Sequence, residues 1–381
     1  MTGGASSHVS DAIERLRHRD LTWVDFSAAA ADTLSDAISF DAYCTHTIDP
    51  GTILFTGSVT CGVQCSGTWL AHHEYEIDDV NKWADLARSG KTVGSTSIDT
   101  GGDLSRSERY RSHEGYGFGD ELRVSLVVGG IYWGAAAFLR HAGRPPFTED
   151  DVRVLGSLAP SLAAGLRRTV LGEPVSFAPT GLEWGPGVVV FDEDDRPESI
   201  SPAAEHWIGE FVEEPPPARP VESKVVQAIA ARARAIPLGT DPLELAARVR
   251  IRTRGGQWLL VYGTRLVGNR GSLRTAVIIH PATPQDVAPV VALSYGLTER
   301  ENEVAMHCAQ GRDTRGIARV LDMSPFTVQD HLKSIFAKTG VHSRGELVGR
   351  IFLDHYATRW ETPARQPPGL HVLETGRAEL G

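Results

Sequence analysis

The sequence predicts a multi-domain protein: two α+β units followed by an all-α unit of four short helices. Three observations predict this. Strand-like apolar runs separated by Asp-Pro-Gly and Gly-Gly turns alternate with helically spaced segments as far as residue 280. From residue 298 onward the strand pattern stops, and four helix starts follow, each marked by capping chemistry. The length of 381 residues exceeds what one core ordinarily spans.

The first unit is expected over residues 1–172. Residues 8–20 and 25–38 read as helices, with Ile13 and Leu16, then Ala29, Ala30, Leu34 and Ile38, at helical spacing. Two strand runs, 41–48 and 53–59, flank Asp49-Pro50-Gly51 and read as a hairpin. A polar helical stretch covers Asp78–Arg88. Residues 121–128 and 131–140 form a second hairpin about Gly129-Gly130. Thr148 is the predicted N-cap of a helix carrying Val152, Leu155, Leu158, Leu162 and Leu166, with Pro160 as a point for bending.

The second unit is expected over 173–284. It starts with a strand at 187–192, a turn, and a helix at 201–211 with Ser201 as N-cap and Pro202 at its first position. Residues 213–220 are too proline-rich for helix or central strand and read as a loop. A helix over 221–235 and three strands, 243–253, 257–267 and 273–280, complete the unit, with Gly255-Gly256 as a hairpin turn. Residues 281–289 read as a linker, and 361–381 as a mobile tail.

The last unit, 290–360, is read from its caps. Thr298 with Glu301 forms a capping box, and Gly311 ends that helix. Thr314 is the expected cap of a short second helix. Ser324, followed by Pro325, opens a third that stops at Gly340, and Ser343 with Glu346 opens a fourth. The second and third helices have helix-turn-helix spacing. Val328, Leu332 and Ile335 would face Ile317, Ala318 and Leu321 as a core. The opposite face presents Gln329, Asp330, Lys333 and Ser334. Gln can pair with adenine, Asp can accept from cytosine and Lys can donate to guanine. Arg312, Thr314, Arg315, Ser324, Thr327, Lys338 and Arg344 supply phosphate-binding chemistry around that face, helped by the helix N-termini.

This segment resembles the LuxR-type (GerE-type) helix-turn-helix. The pattern is Leu297-Thr298-x-Arg300-Glu301, then Ile317-Ala318, then Ser324-x-x-Thr327-Val328-x-x-His331-Leu332, then Lys338-x-Gly340-Val341-x-Ser343-Arg344-x-Glu346-Leu347. The resemblance implies that the third helix enters the major groove, that Gln329, Asp330 and Lys333 read bases, and that the fourth helix supports dimerisation. Arg315-Gly316 departs from the usual Lys-Glu type of pair, and the acid at Asp330 changes the reading face. The first unit resembles a GAF domain, in particular the GAF-like sensors that precede LuxR-type domains in actinobacterial regulators. The second resembles a PAS domain. Both folds imply sensing or interaction by analogy only.

Composition bounds the function. A formal charge of −10 argues against charge-driven coating of nucleic acid, so DNA binding must come from a local surface. Between Ser324 and Arg344 three cations face the single acid Asp330. No apolar run is long enough to cross a bilayer, no secretory signal opens the chain, and the four cysteines form no disulfide framework. A cytoplasmic protein without a membrane partner is expected. Gly90-Lys91-Thr92 has the ending of a phosphate-binding loop, but Asp85 occupies the place of its opening glycine. Cys61, Cys65, His72 and His73 match no familiar metal spacing, and His113 with Glu114 completes no triad. No cofactor, metal site or catalytic residue is expected. Tyr43, Trp69, Trp83, Tyr110 and Trp133 are candidate pocket aromatics or ordinary core residues. The expected function is a homodimeric transcriptional regulator on an inverted-repeat operator of double-stranded DNA, responsive to a small-molecule effector. The alternative is a regulator whose N-terminal units bind proteins instead of a metabolite.

Overall fold

In the computed structural model the described residues are 3–112, 117–170, 184–236, 247–268 and 271–353. Helices α1 (Gly3–Leu16) and α2 (Trp23–Ser35) turn Ile13, Leu16, Phe26, Ala30 and Leu34 inward. The Thr22 hydroxyl caps α2 by accepting from the Asp25 amide at 3.1 Å. The first predicted hairpin is β1 (Ala42–Asp49) with β2 (Leu54–Cys61), antiparallel, with His46 opposite Ser58. Next come α3 (Gly67–Ala71), a π-helical turn at His72–Glu76, α4 (Trp83–Ser89), β3 (Val93–Ser95), α5 (Thr96–Asp99) and α6 (Glu108–Ser112). The second hairpin is β4 (Phe118–Val128) with β5 (Ile131–His141). Gly129 and Gly130 both sit at positive φ, 63° and 78°, as a two-residue hairpin turn requires. Helix α7 (Glu149–Thr169) runs through Pro160, and Thr148 and Asp151 form its capping box.

The second unit has β6 (Gly187–Phe191), β7 (Pro197–Ile200), α8 (Pro202–Gly209), β8 (Glu213–Glu214), α9 (Lys224–Ala235), β9 (Arg248–Arg252), β10 (Trp258–Val267) and β11 (Leu273–Pro281). Two sheets result, ordered β3-β4-β5-β1-β2-β8 and β7-β6-β11-β10-β9. One face of the first sheet packs on α1, α2 and α7 through Phe26, Leu34, Leu122, Phe138, Leu155 and Leu162. Its other face shares a single core with α9 and the second sheet, in which Leu54, Phe55 and Trp83 join Val225, Ile229, Val249 and Val277. The two units are therefore packed as one body, with α9 between the sheets. A buried ion pair adds to the joint: Asp49 accepts from Arg250 Nη1 at 3.0 Å and from the Arg250 amide at 2.9 Å.

Two expectations are corrected here. The loop at 213–220 holds a two-residue strand, β8, parallel to β2. The prolines stop the strand after Glu214, and Glu213 is fixed by accepting from Ser223 Oγ at 2.8 Å and from the Val225 amide at 3.1 Å. The linker at 281–289 is instead the start of α10 (Pro284–Ser294). Thr283 and Asp286 form a capping box, and Pro284 takes the first helical position, where its missing N–H costs nothing. One side of α10 (Val287, Val290, Val291) packs with Trp133, Trp258 and Leu260. Ala288 and Ala292 enter the core of the C-terminal helices. The boundary near residue 172, His113, Glu114 and the tail at 361–381 lie outside the described residues.

His46 sits at the centre of the shared core, stacked on Phe55 at 4.5 Å and edge-on to Trp83 at 5.1 Å. Neither ring nitrogen has a hydrogen-bond partner in the structure. Burial, reinforced by the Lys224 and Arg123 cations, holds its pKa well below the ordinary 6.5. Below that pH an unfolded chain takes up a proton that the folded chain refuses. Stability should therefore fall as pH drops below 6.5, by up to about 1.4 kcal/mol per pH unit from this group. Urea denaturation of wild type and His46→Leu between pH 7 and pH 5 isolates the contribution. Parallel pH profiles for the two proteins would refute it.

Candidate nucleic-acid interface

The C-terminal helices are α11 (Glu299–Ala309), α12 (Thr314–Val320), α13 (Pro325–Thr339) and α14 (Arg344–Val348), the last continuing as a π-helical turn to Leu353. Their core comprises Val304, Ala305, Cys308, Ile317, Ala318, Val328, Leu332, Ile335 and Leu347, with Leu321 partly buried. Thr298 and Glu301 form the expected capping box on α11. Ser324 caps α13, accepting from the Thr327 amide at 3.0 Å, and Gly340 ends it at a φ of 67°. The cap of α12 is a correction. Asp313, not Thr314, accepts from the Gly316 amide at 2.7 Å, since the carboxylate one residue earlier reaches the helix N-terminus first. The turn into α13 contains Asp322 at a φ of 51°, a conformation that a short polar side chain tolerates.

With Val328, Leu332 and Ile335 buried, the opposite side of α13 faces solvent with Gln329, Asp330 and Lys333. Lys333 Nζ lies 3.2 Å from Asp330 Oδ1, and both side chains remain exposed. Arg315, Ser324 and Thr327 are also exposed, at the starts of α12 and α13. The remaining predicted residues are tied by hydrogen bonds within the domain, although Arg312 and Lys338 are exposed. Ser334 Oγ donates to Glu301 Oε1 at 2.6 Å, and Lys338 Nζ donates to Glu301 Oε2 at 2.6 Å. Arg344 donates to the Arg312 carbonyl at 2.8 Å and to Thr314 Oγ1 at 2.8 Å, which brings those three residues together.

Two residues escaped the sequence reading. Phe326 is 70% exposed. It lies four and seven positions before Asp330 and Lys333, a spacing that puts all three on one helix face and that was legible in the sequence. Glu301 was read only as a cap, yet it is buried and links α11 to α13. Nothing local signals that second role.

The predicted pocket aromatics do not meet in one place. Tyr43 packs near Phe40 at 6.2 Å on the α2 side of the first sheet. Trp83 lies in the shared core beneath Arg123, and Trp133 in the cluster around α10. Trp69 stacks on His73 at 4.3 Å and donates from Nε1 to Ser112 Oγ at 3.0 Å; Tyr110 is half-buried nearby in sequence, on α6. Among the described residues no group of three or more His, Cys, Asp or Glu is arranged to hold a metal, and no helix is long and apolar enough to cross a membrane.

Residues 296–350 match the GerE family, described as bacterial regulatory proteins of the luxR family. The C-terminal domain is a LuxR-type helix-turn-helix. A curated relative, the monoamine regulon transcriptional regulator of Klebsiella aerogenes, is 46% identical over 57 residues, 15% of this chain and 25% of the relative. The chain spans about a quarter to a third of the length of the curated relatives it matches. Among solved structures, the chain is similar to SdiA in complex with octanoyl-rac-glycerol, at 10% identity and a TM-score of 0.34 over 90% of this chain and 93% of that one. It is also similar to the GAF domain of a phosphoenolpyruvate-protein phosphotransferase from Coxiella burnetii, at 12% identity and a TM-score of 0.31 over 42% of this chain and 92% of that one.

Proposed function

We propose that the protein is a sequence-specific transcriptional regulator that binds double-stranded DNA as a homodimer, with its two N-terminal α+β units sensing a small molecule. The observation that carries the reading is the third helix of the LuxR-type domain. Its apolar residues Val328, Leu332 and Ile335 are buried in the core, whereas Gln329, Asp330 and Lys333 are exposed, with Lys333 paired to Asp330. In this reading α13 lies in the major groove. Arg315, Ser324 and Thr327 approach phosphates at the starts of α12 and α13, and the cluster of Arg312, Thr314 and Arg344 sits beside them. Ser334 and Lys338 act mainly as supports, through Glu301.

The overall charge of −10 and the few cations on α13 favour two weak half-site contacts over one strong one. Two domains would read half-sites about one helical turn, roughly 10 base pairs, apart. Helix α10 supports coupling between sensor and reader, because it contributes side chains to the core of each. About 1–3 kcal/mol of such coupling alters operator occupancy several-fold.

Selection of bound sites from random duplex DNA, followed by titration on the selected operator, tests the reading. An inverted repeat should emerge. Lys333→Ala should weaken binding by about 1–3 kcal/mol and relax preference at one base pair. Phe326→Ala should weaken binding several-fold and remove a preference for thymine over uracil at one position, as expected of an aromatic contact with a thymine methyl. Selection that returns no motif, or a Lys333→Ala protein with unchanged specificity, would count against this placement of α13.

A further inference from the structure

A cleft of about 200 Å³ opens where the C-terminal end of α9 lies against the π-helical turn after α3 and the start of α4. Tyr75, Lys82, Ala84, Arg88, Arg232 and Ile236 line most of it. The two arginines near the end of α9 are treated differently. Arg234 is held by Glu76 at 2.7 Å and by Asp195 at 3.1 Å. Arg232 forms no ion pair among the described residues, although it is half-buried, and its guanidinium stands 5.7 Å from the centre of the Tyr75 ring. Burial and the nearby Arg88 both disfavour its charge.

The acids at the cleft do not offset this. Glu74 has one oxygen accepting from the Trp83 amide at 2.7 Å and the other from Arg123 at 3.0 Å. Asp85 pairs with Arg88 at 3.2 Å, and both side chains are exposed. Lys82 Nζ donates to the Ile77 carbonyl at 2.6 Å. A half-buried cation without a carboxylate, beside a second cation, is destabilising unless an anion joins them.

We propose that this cleft is the effector site and that the effector is a small organic carboxylate. Its carboxylate would lie between Arg232 and Arg88, where a guanidinium offers paired parallel N–H donors. Its apolar body would lie against Tyr75, Ala84 and Ile236. At about 200 Å³ the cleft is smaller than the pockets that hold drug-sized ligands, which restricts the effector to a small molecule. Arg232 belongs to the helix between the two sheets and Arg88 to a helix on the first, so a bridging anion ties α9 to α4 and changes how firmly the shared core is held. The proposal rests on the effector-sensing half of the function proposed above. DNA selection with the ligand-free protein stands apart from it, so either can fail alone.

The test is thermal unfolding and calorimetric titration of the full chain with benzoate, phenylacetate and hexanoate, and with benzamide and inorganic phosphate as controls. At least one carboxylate should raise Tm by several degrees at about one hundred times its Kd, while benzamide and phosphate do not. Arg232→Met should weaken that carboxylate at least about tenfold and raise the Tm of the ligand-free protein, because it removes an uncompensated charge. Arg88→Met should weaken binding without the rise in Tm, since Arg88 is already paired. The proposal is overturned if no carboxylate in the set binds, if benzamide or phosphate binds as well as the carboxylates, or if Arg232→Met retains full affinity.

Discussion

Arg123→Ala should destabilise the α+β body by about 3–5 kcal/mol. Arg123 is fully buried in the middle of β4. Its Nη1 donates to the Asn81 carbonyl at 2.9 Å and its Nη2 to Glu74 Oε2 at 3.0 Å, and its guanidinium carbon lies 3.5 Å from the centre of the Trp83 ring. Truncation removes a cation–π contact worth up to about 2 kcal/mol when desolvated. It also strands the Glu74 carboxylate in the core. Burial already pushes the Glu74 pKa upward, and Arg123 is the main opposing influence. Without it the carboxyl must take a proton or draw in water, and either is costly. Replacing both partners, in Arg123→Met with Glu74→Leu, should recover much of the loss, because no charge is left unpaired. Denaturant midpoints of the two singles and the double measure the coupling. A loss below about 1 kcal/mol for Arg123→Ala would mean that water already reaches this site.

The contrast between this network and the hairpins shows what could be read from sequence. Hairpin turns and helix caps depend on residues within a few positions of one another. Gly129-Gly130, Thr148, and Ser324 with Pro325 therefore announced their elements. Arg123 and Glu74 are 49 residues apart, and Asp49 and Arg250 are 201 apart. As isolated charges within strand-like or helical runs, they look like solvated positions. Helix α10 was missed for another reason. Pro284 and Pro289 are breakers by type, and only the position of Pro284, directly after the Thr283 cap, makes it a helix start. In the candidate site the exposed stripe of α13 was legible from periodicity. The internal partners of Ser334, Lys338 and Arg344 were not, because each reaches across to another helix or its preceding loop.

Glu301→Ala should destabilise the LuxR-type domain by about 2–4 kcal/mol and weaken DNA binding through the position of α13 rather than through a lost contact. Glu301 closes the N-terminus of α11, accepting from the Thr298 amide at 2.7 Å, and the same carboxylate accepts from Ser334 and Lys338, each at 2.6 Å. One buried anion therefore sets the spacing between α11 and the helix proposed to enter the groove. Burial alone would raise its pKa, but the bonds from Lys338, Ser334 and Thr298 prevail and hold it at about 2 instead of 4.5. The sign of the pH dependence follows. The folded domain keeps this carboxylate ionised where the unfolded chain protonates it. The stabilisation is complete above about pH 4.5 and is lost as pH falls towards 2, amounting to about 3 kcal/mol from this group. Glu301→Gln preserves shape and some of the hydrogen bonding but cannot ionise, so it should lie closer to wild type in stability and lose the component confined to that window. Lys338→Met should reproduce part of the loss at neutral pH while leaving the Thr298 cap intact. Should Glu301→Ala lose DNA affinity with no change in stability, the carboxylate would act at the DNA surface itself, and the role of Glu301 as a brace between helices would have to be abandoned.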